Sequence, residues 1–512
     1  MSGVAGTAGS AREWPRLKRI LLSCLLAFCS ACRPSPPEAS ATIAVRADVT
    51  GFFPNPPAKD ESFTNRVNAE IFEGLTRLDP DGRVAPALAE RWETPDERTY
   101  VFHLRPGLRF SDGSPLTSAD VVASLRTSIE REWPTAGYLR NIGSIEADGP
   151  LRVILRTRVP YPLLLYKLPW GYVLPSGVLG LRPVPVVGAG PYRLVSWERD
   201  RSFTLDRNDL FRGPRPAIGR VRFEIVPDGR DRIARLVSGR VDVVDEVPLE
   251  EVDALRFEKA IRVFSAPSLR VLFLTLRVTE PPFSDPRVRE AVDLALDRDE
   301  LVERAYDGRT ITASQLVPPS VVGFNPALGT RMADRARSRA ILAEAGFPKG
   351  FDVRLDGTHN RYVNDLRILR EVARQLALVG IRVTVNALEK TEFFELIDAG
   401  ASVFHLVGWA CGSGEAAEAI EALVATRGPG LGSANSSGYS DPVLDGLLAR
   451  SNEAMRPRVR VEALQAALAR VADQRPVLPL LLQAEAIAVS RRVDWVPGRD
   501  MRIRIEDMRL AP

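Results

Sequence analysis

Three short stretches set the fold class of this 512-residue chain: FDVRL at residues 351–355, IRVTV at 381–385 and VFHLVGW at 403–409. Apolar side chains alternate in the first two, which predicts strands, and the third is apolar enough for a buried strand. Between the first two, apolar residues recur at helical spacing over 366–376, and Gly380 ends the helix. The resulting βαβαβ order predicts an α/β fold with a partly parallel sheet covered by helices.

The end of the third strand is the best candidate for a ligand site. Ligands of open α/β sheets bind beyond the carboxyl ends of the strands. Trp409 lies at that end and is followed by the loop Cys411-Gly412-Ser413-Gly414. The alternative is a flexible loop that binds nothing.

The rest of the chain carries the same two periodicities. A strand is expected at 42–46, a helix at 63–75 closed by Gly74, and a strand and turn at 99–113. Thr117 to Asp120 resembles a capping box before a helix, and Asp285-Pro286 is typical of another helix start.

Composition and charge exclude several classes of protein. Hydrophobic residues make up 45% and charged residues 26% of the chain, which excludes disorder, collagen and coiled coil as the main structure. The net charge is +4. Residues 1–32 contribute +3 of it, because they contain four basic residues and one acidic residue, Glu13. The remaining +1 argues against a nucleic-acid partner bound through a charged face. The length predicts two or more lobes.

The amino terminus has the order of an export signal. Basic residues at 16–19 precede an apolar run at 20–28 and the small residues Ser30 and Ala31, so residues 1–31 are predicted to be a signal peptide. The segment resembles a bacterial lipoprotein signal, with Cys32 as the lipidated residue and with Cys29 where that signal usually has Leu. Plain secretion is the alternative. Residues 32–41, which are rich in Pro, would form an extended tether.

Several longer motifs follow one another in a recognisable order. The first is FHLRPGLRFSDGSPLTSADV at 102–121, and the second is GAGPYRL at 188–194 with LDRN at 205–208. The third is PPFSDPRVREA at 281–291, and 340–350 and 439–442 add further matches. Together they resemble the family 5 extracellular solute-binding proteins, the oligopeptide- and dipeptide-binding components of ABC importers. The resemblance covers most of residues 42–490.

The resemblance implies a two-lobed periplasmic-binding-protein-like fold of type II, with an additional domain inserted in the first lobe. The expected segments are lobe I at 42–85, 188–272 and 483–512, the additional domain at 86–187, and lobe II at 273–482. It further implies a non-enzymatic protein that captures a peptide or other small polar solute between closing lobes and delivers it to the permease subunits of an ABC importer. We expect a monomer held outside the cytoplasm by a lipid anchor.

Two departures from the family pattern bear on the ligand. Peptide-binding relatives have an Asp shortly after the matching Trp, whereas this chain has Cys411 to Glu415 there. Glu415 or Glu418 could replace that Asp or simply favour a helix start over 415–425, and the amides of 412–414 could instead receive an anion. Arg277 stands where the family commonly has Asn, and it could grip a ligand carboxylate or form a salt bridge to the cleft wall.

Aromatic residues in turn-rich segments are further candidates for the cleft. Phe52, Phe53, Tyr138, Trp170 and Tyr172 could line it, or each could pack in a core.

The sequence has no motif typical of a catalytic or metal site. His103, His359 and His405 lack metal-ligand spacing, and no Gly-x-Ser-x-Gly elbow occurs, so we predict no metal, cofactor or catalytic site. The rival functions are an extracytoplasmic sensory or chaperone-like binding protein and a hydrolase.

Overall fold

The computed structural model describes residues 1–6, 39–55, 58, 62–79, 82–428, 430–498 and 501–512. Contacts divide the chain into two units, Met1–Ala39 and Ser40–Pro512. In the first unit, residues 1–6 are exposed and have no regular structure. Cys32 lies outside the described residues, as do residues 7–31 of the predicted signal and residues 32–38 of the predicted tether. All the described helices and strands lie in the second unit.

The strands, in chain order, are β1 (Ser40–Val45), β2 (Thr76–Leu78), β3 (Val84–Pro86), β4 (Ala89–Asp96), β5 (Thr99–Leu104), β6 (Ile142–Ala147), β7 (Arg152–Thr157), β8 (Tyr192–Glu198), β9 (Ser202–Arg207), β10 (Arg220–Ile225), β11 (Val243–Val244), β12 (Ile261–Leu276), β13 (Asp352–Thr358), β14 (Arg382–Leu388), β15 (Phe404–Ala410), β16 (Val477–Ser490), β17 (Val493–Asp494) and β18 (Arg509–Leu510). The α-helices are α1 (Ser62–Ile71), α2 (Ser118–Glu130), α3 (Leu164–Lys167), α4 (Gly229–Val237), α5 (Val252–Arg256), α6 (Pro286–Ala295), α7 (Arg298–Tyr306), α8 (Arg335–Glu344), α9 (Asp365–Ala377), α10 (Lys390–Asp398), α11 (Ala416–Leu423), α12 (Pro442–Glu453) and α13 (Pro457–Gln474).

The predicted βαβαβ unit is confirmed as β13, α9, β14, α10 and β15. β13 pairs in parallel with both β14 and β15. These strands form one end of a ten-stranded sheet with the order β14-β13-β15-β12-β16-β11-β1-β10-β9-β8. The sheet is mixed, because β12 pairs antiparallel with both β15 and β16. The expected α/β class is therefore correct.

Two long strands, β12 and β16, join the halves of this sheet. Residues 261–267 of β12 pair with 484–490 of β16 on the side of β11, and residues 271–275 pair with 477–482 on the side of β15. The register shifts between Pro267 and Val271. A break in strand pairing at the point where two sheet halves meet is a natural place for bending. We call residues 268–270 the hinge break.

A separate four-stranded antiparallel sheet has the order β4-β5-β7-β6. Its strands all fall inside the predicted additional domain, 86–187, whose boundaries remain a prediction. The buried faces of this sheet belong to a core that also contains Ile420 of α11 and Leu464 of α13. A second core is built from other residues of the large sheet and its helices, and it contains Leu355 of β13 and Leu376 of α9.

Helix starts follow the sequence signals. Asp285 accepts a hydrogen bond from the Arg287 N–H at 2.8 Å, and Pro286 begins α6. The Thr117 N–H donates to the Asp120 carboxylate at 2.9 Å, as in a capping box. The predicted helix 63–75 stops earlier, at Ile71, because the Ile71 carbonyl accepts from Gly190 N–H instead of continuing the helix. No helix among the residues described here is long and apolar enough to span a bilayer.

Candidate functional site

A cavity of about 940 Å³ lies between the elements assigned to the two lobes. One wall comes from α1, the turn that follows it and β2, and the other comes from β15, α10 and residues near the start of α11. β12 forms part of the wall where the two sides meet, and residues 502–504 and 506 close one end. Elements of both predicted lobes therefore line the same cavity.

Aromatic side chains supply much of the apolar wall. Tyr138 and Trp170 stack with their ring centroids 5.0 Å apart and both line the cavity. Trp409 and Tyr172 line it as well. The indole Nε1 of Trp409 is itself buried and has no hydrogen-bond partner among the described residues.

The polar groups of the loop after Trp409 form hydrogen bonds mainly with nearby residues of the same segment, 411–418. The amides of Gly412 and Ser413 donate to the Glu418 carboxylate at 3.2 and 2.6 Å, so those amides already have an anionic partner. Gly412 lines the cavity, whereas Cys411, Ser413 and Gly414 do not. Cys411 is buried, and its thiol donates to the Glu415 carbonyl at 2.9 Å. Burial raises the pKa of that thiol well above its usual value.

Glu415 faces away from the cavity. Its side chain is 2% exposed, and a carboxylate oxygen lies 2.6 Å from Nε of Arg460. Burial raises the pKa of Glu415 to about 7, although the nearby Arg460 charge lowers it. This carboxylate therefore links the start of α11 to Arg460 of α13 and does not line the cavity.

The remaining predicted residues do not line the cavity. Arg277 donates to the Gly400 carbonyl and lies 2.9 Å from the Glu280 carboxylate, and neither of these partners lines the cavity. Phe52 and Phe53 are buried and do not line the cavity. Phe53 packs edge-on at 5.1 Å against the Tyr172 ring, which does line it.

Two arginines on the wall were missed from the sequence. Arg270 and Arg361 both line the cavity, with their guanidinium carbons 5.9 and 5.4 Å from the Tyr362 ring centroid. Burial and then the neighbouring Arg361 charge lower the pKa of Arg270. Arg270 stands between Leu269 and Val271 in a run that is otherwise apolar over 269–274, so only its charge in that run could have drawn attention to it.

Carboxyl groups occupy another part of the wall. Glu70, Glu73 and Glu506 all line the cavity. Burial, reinforced by the Glu506 charge, raises the pKa of Glu73 to about 8. The pKa of Glu70 is shifted upward for the same two reasons, with burial the larger. This end of the cavity therefore carries less negative charge at neutral pH than its composition suggests.

The polar groups around His405 do not form a catalytic relay. His405 is buried, its Nε2 lies 2.9 Å from Ser436 Oγ, and burial lowers its pKa to about 4. The nearby Asp356 carboxylate accepts from Arg354, Ser402 and Asn386, while His405 Nδ1 has no hydrogen-bond partner in the described ranges. Within those ranges no three His, Cys, Asp or Glu side chains group as a metal site requires.

Known proteins share this architecture over nearly the whole chain. Residues 83–430 match the model of the bacterial extracellular solute-binding proteins, family 5 Middle. The glutathione-binding protein GsiB of Escherichia coli K12 is 27% identical over 467 residues, covering 86% of this chain and 89% of GsiB.

Solved structures show the same fold. The DppA periplasmic binding protein of Helicobacter pylori, in complex with the peptide STSA, has a TM-score of 0.81 at 20% identity and covers 92% of this chain and 98% of DppA. AgaA of A. tumefaciens R10, in complex with agropinic acid, has a TM-score of 0.80 at 24% identity, with 92% and 99% covered. The two-lobed fold expected from the sequence is thus confirmed.

The family model spans more than half of the chain, and the distant relatives extend the match across both lobes. The structure adds a cavity lined by elements of both predicted lobes. The chain belongs to the bacterial extracellular solute-binding proteins of family 5, the non-enzymatic solute-binding components of ABC importers for peptides or related solutes.

Proposed function

We propose that the protein captures a peptide or a small polar solute of similar size in the 940 Å³ cavity and presents it to an ABC permease. The observation that carries this proposal is the composition of the wall, which draws on both sides of the hinge break. A solute that touches both sides binds the closed form better than the open form, and this difference in affinity favours closure.

The size of the cavity supports this solute class. Sites for small molecules usually enclose about 300–1,000 Å³, and this cavity lies in the upper part of that range. The names of the relatives include glutathione, a peptide and agropinic acid. We propose a solute of comparable size and polarity.

We propose direct solute contacts for Trp409, Tyr138 and Gly412, because these predicted residues line the cavity. Trp409 would offer its unpaired N–H as well as its ring. Cys411, Ser413, Gly414, Glu415, Phe52, Phe53 and Arg277 would shape the wall from behind it.

We also propose that the protein is a monomer anchored by lipid at Cys32 after removal of residues 1–31. The tether would then end before Ser40, where β1 begins, two residues short of the predicted range 32–41. This proposal rests on the sequence alone. Labelled fatty acid should be incorporated into the wild-type protein in a bacterial host and not into Cys32→Ala. Labelling that persists in Cys32→Ala, or a wild-type protein released without label, would contradict the anchor.

Native mass spectrometry of protein purified from its own host tests the central proposal, because a retained solute adds a defined mass. The identified solute should then compact the protein in solution X-ray scattering, relative to the solute-free protein. Trp409→Ala should reduce the fraction that retains solute. A saturating solute that leaves the scattering curve unchanged would refute closure, and a chemically altered solute would refute a transport role.

A further inference from the structure

Arg270 is a buried cation without a counter-ion. The residue is 8% exposed, and its Nε has no hydrogen-bond partner within the described part of the chain. No carboxylate there lies within ion-pairing distance of its guanidinium. The negative charge of Glu485 is close enough to raise the pKa of Arg270, yet Glu485 forms no ion pair with Arg270.

A glycine on the neighbouring strand lies beside the Arg270 side chain. Arg270 is the last residue of the hinge break and pairs across the sheet with Ala410. An added Cβ at Gly408 would lie 2.4 Å from Leu272 Cδ2, 3.1 Å from Tyr362 Cε1 and 3.3 Å from Arg270 Cδ. A larger residue in place of Gly408 would crowd all three side chains, including the stem of Arg270 at the cavity wall.

The neighbouring charge that acts most strongly on Arg270 is positive. Arg361 lines the same cavity, contacts the same Tyr362 ring, and further lowers the pKa of Arg270. An ionised group removed from water without a partner costs several kcal/mol, and arginine stays charged in proteins. An interior that only needed filling would be more stable with an apolar side chain here.

We propose that Arg270 is the receptor for a negatively charged group of the solute, a carboxylate or another oxyanion, with Arg361 as a second cation at the same wall. The inference rests on the proposed function, because it assigns the solute class of that cavity. A planar guanidinium binds such groups through two parallel hydrogen bonds. The bound anion supplies the missing counter-ion at the hinge break, so its charge contributes to holding the lobes closed.

The test exploits two effects of opposite sign. Arg270→Met removes the uncompensated charge, so the solute-free variant should melt about 1–3 °C above the wild type. Sodium acetate, malonate and phosphate, each compared with chloride at constant ionic strength, should raise the melting temperature of the wild type. The same anions should bind Arg270→Met about tenfold more weakly or not at all. Arg270→Lys should retain part of the response.

Arg262→Met is the matched control. Arg262 lies on the same strand, but its Nη2 donates to the carbonyls of Val493 and Trp495 at 2.6 and 3.2 Å. Its replacement should lower the melting temperature and leave the response to anions intact. A solute-free Arg270→Met that melts below the wild type, or anions that stabilise both proteins equally, would overturn the inference. If anions bind at Arg270 and the natural solute still fails to compact the protein, the proposed function fails while this assignment stands.

Discussion

The guanidinium of Arg140 lies 2.8 Å from the carboxylate of Glu421, across the junction between the predicted additional domain and lobe II. The Glu421 side chain is only 6% exposed, and Arg140 also donates to the Gly430 carbonyl. Lys167, 4% exposed, comes from the same side as Arg140, and its charge interacts with Glu418 and Glu421. Two cations thus face two carboxylates where the two parts of the protein meet.

Arg140→Met should favour the open form. The change leaves Glu421 with Asn452 as its remaining hydrogen-bond partner, and loss of a charged partner costs about 1–3 kcal/mol. We expect weaker solute binding and a larger radius of gyration, measured by calorimetry and X-ray scattering. Arg458→Met removes an exposed ion pair to Glu462 and should change neither quantity. Equal behaviour of the two variants would contradict the role of Arg140.

Stability should fall as the pH rises from 6.5 to 8.5. The pKa of Glu73 rises from 4.5 to about 8 on folding, mainly through burial, so the folded protein binds this proton more tightly than the unfolded chain. The resulting stabilisation is complete below pH 4.5 and is lost as the pH rises through about 8. Melting temperatures measured across this interval should decline less in Glu73→Gln.

The interval avoids an opposing effect from His405. Burial lowers the pKa of His405 from 6.5 to about 4, so its contribution to stability is lost only as the pH falls below 6.5. A Glu73→Gln variant with the same slope as the wild type between pH 6.5 and 8.5 would show that Glu73 does not titrate differently in the two states.

Arg460→Met should destabilise the protein more than it weakens solute binding. Glu415 is buried against Arg460 and faces away from the cavity, so the variant leaves a carboxylate without its partner. Breaking a buried pair costs about 3–5 kcal/mol. The loss should be larger at pH 8.5 than at pH 6, because the pKa of Glu415 is already about 7 and protonation relieves the unpaired charge. Denaturant unfolding at both pH values measures this difference.

The double change Arg460→Met with Glu415→Gln is the control, since it removes both charges. It should recover much of the lost stability, and its pH dependence should be weaker. A large loss of solute affinity in Arg460→Met at a temperature where the protein stays folded would instead return Glu415 to the binding site.

Trp409→Ala should weaken solute binding about tenfold or more, because buried aromatic anchors carry much of a binding energy. Trp409→Phe keeps an aromatic ring and removes the unpaired N–H, so the two variants separate packing from hydrogen bonding. Titration with the solute found by mass spectrometry, followed by calorimetry, measures both. Binding of Trp409→Ala with wild-type affinity would place the solute away from β15.

Much of the fold was predictable because it depends on local periodicity and on residues such as Gly and Pro that begin or end helices and strands. The alternation at 351–355 and 381–385 and the helical spacing between them become β13, β14 and α9. The end of α1 was not predictable, because the Ile71 carbonyl accepts a hydrogen bond from the N–H of Gly190, which is distant in sequence. Long-range hydrogen bonds of this kind leave no trace in a local pattern.

The site was predictable only in part. A position at the end of a strand placed Trp409 and Gly412 on the cavity wall. The same reasoning could not separate Gly412 from its buried neighbours Cys411 and Ser413, because the direction of each side chain depends on the turn. Arg270 looks like an interruption of an apolar strand, and its lack of a counter-ion appears only when every neighbour is in place.

The position of β16 in the large sheet has a consequence for how the molecule is assembled. This strand begins at Val477, near the carboxyl terminus, yet it lies in the centre of the sheet between β11 and β12. A chain that has emerged only as far as residue 476 leaves the facing edges of both strands without backbone partners. Since contacts between residues distant in sequence form late, the middle of the sheet closes last. A polypeptide emerging from a translocation pore therefore cannot finish folding until almost all of it has passed through.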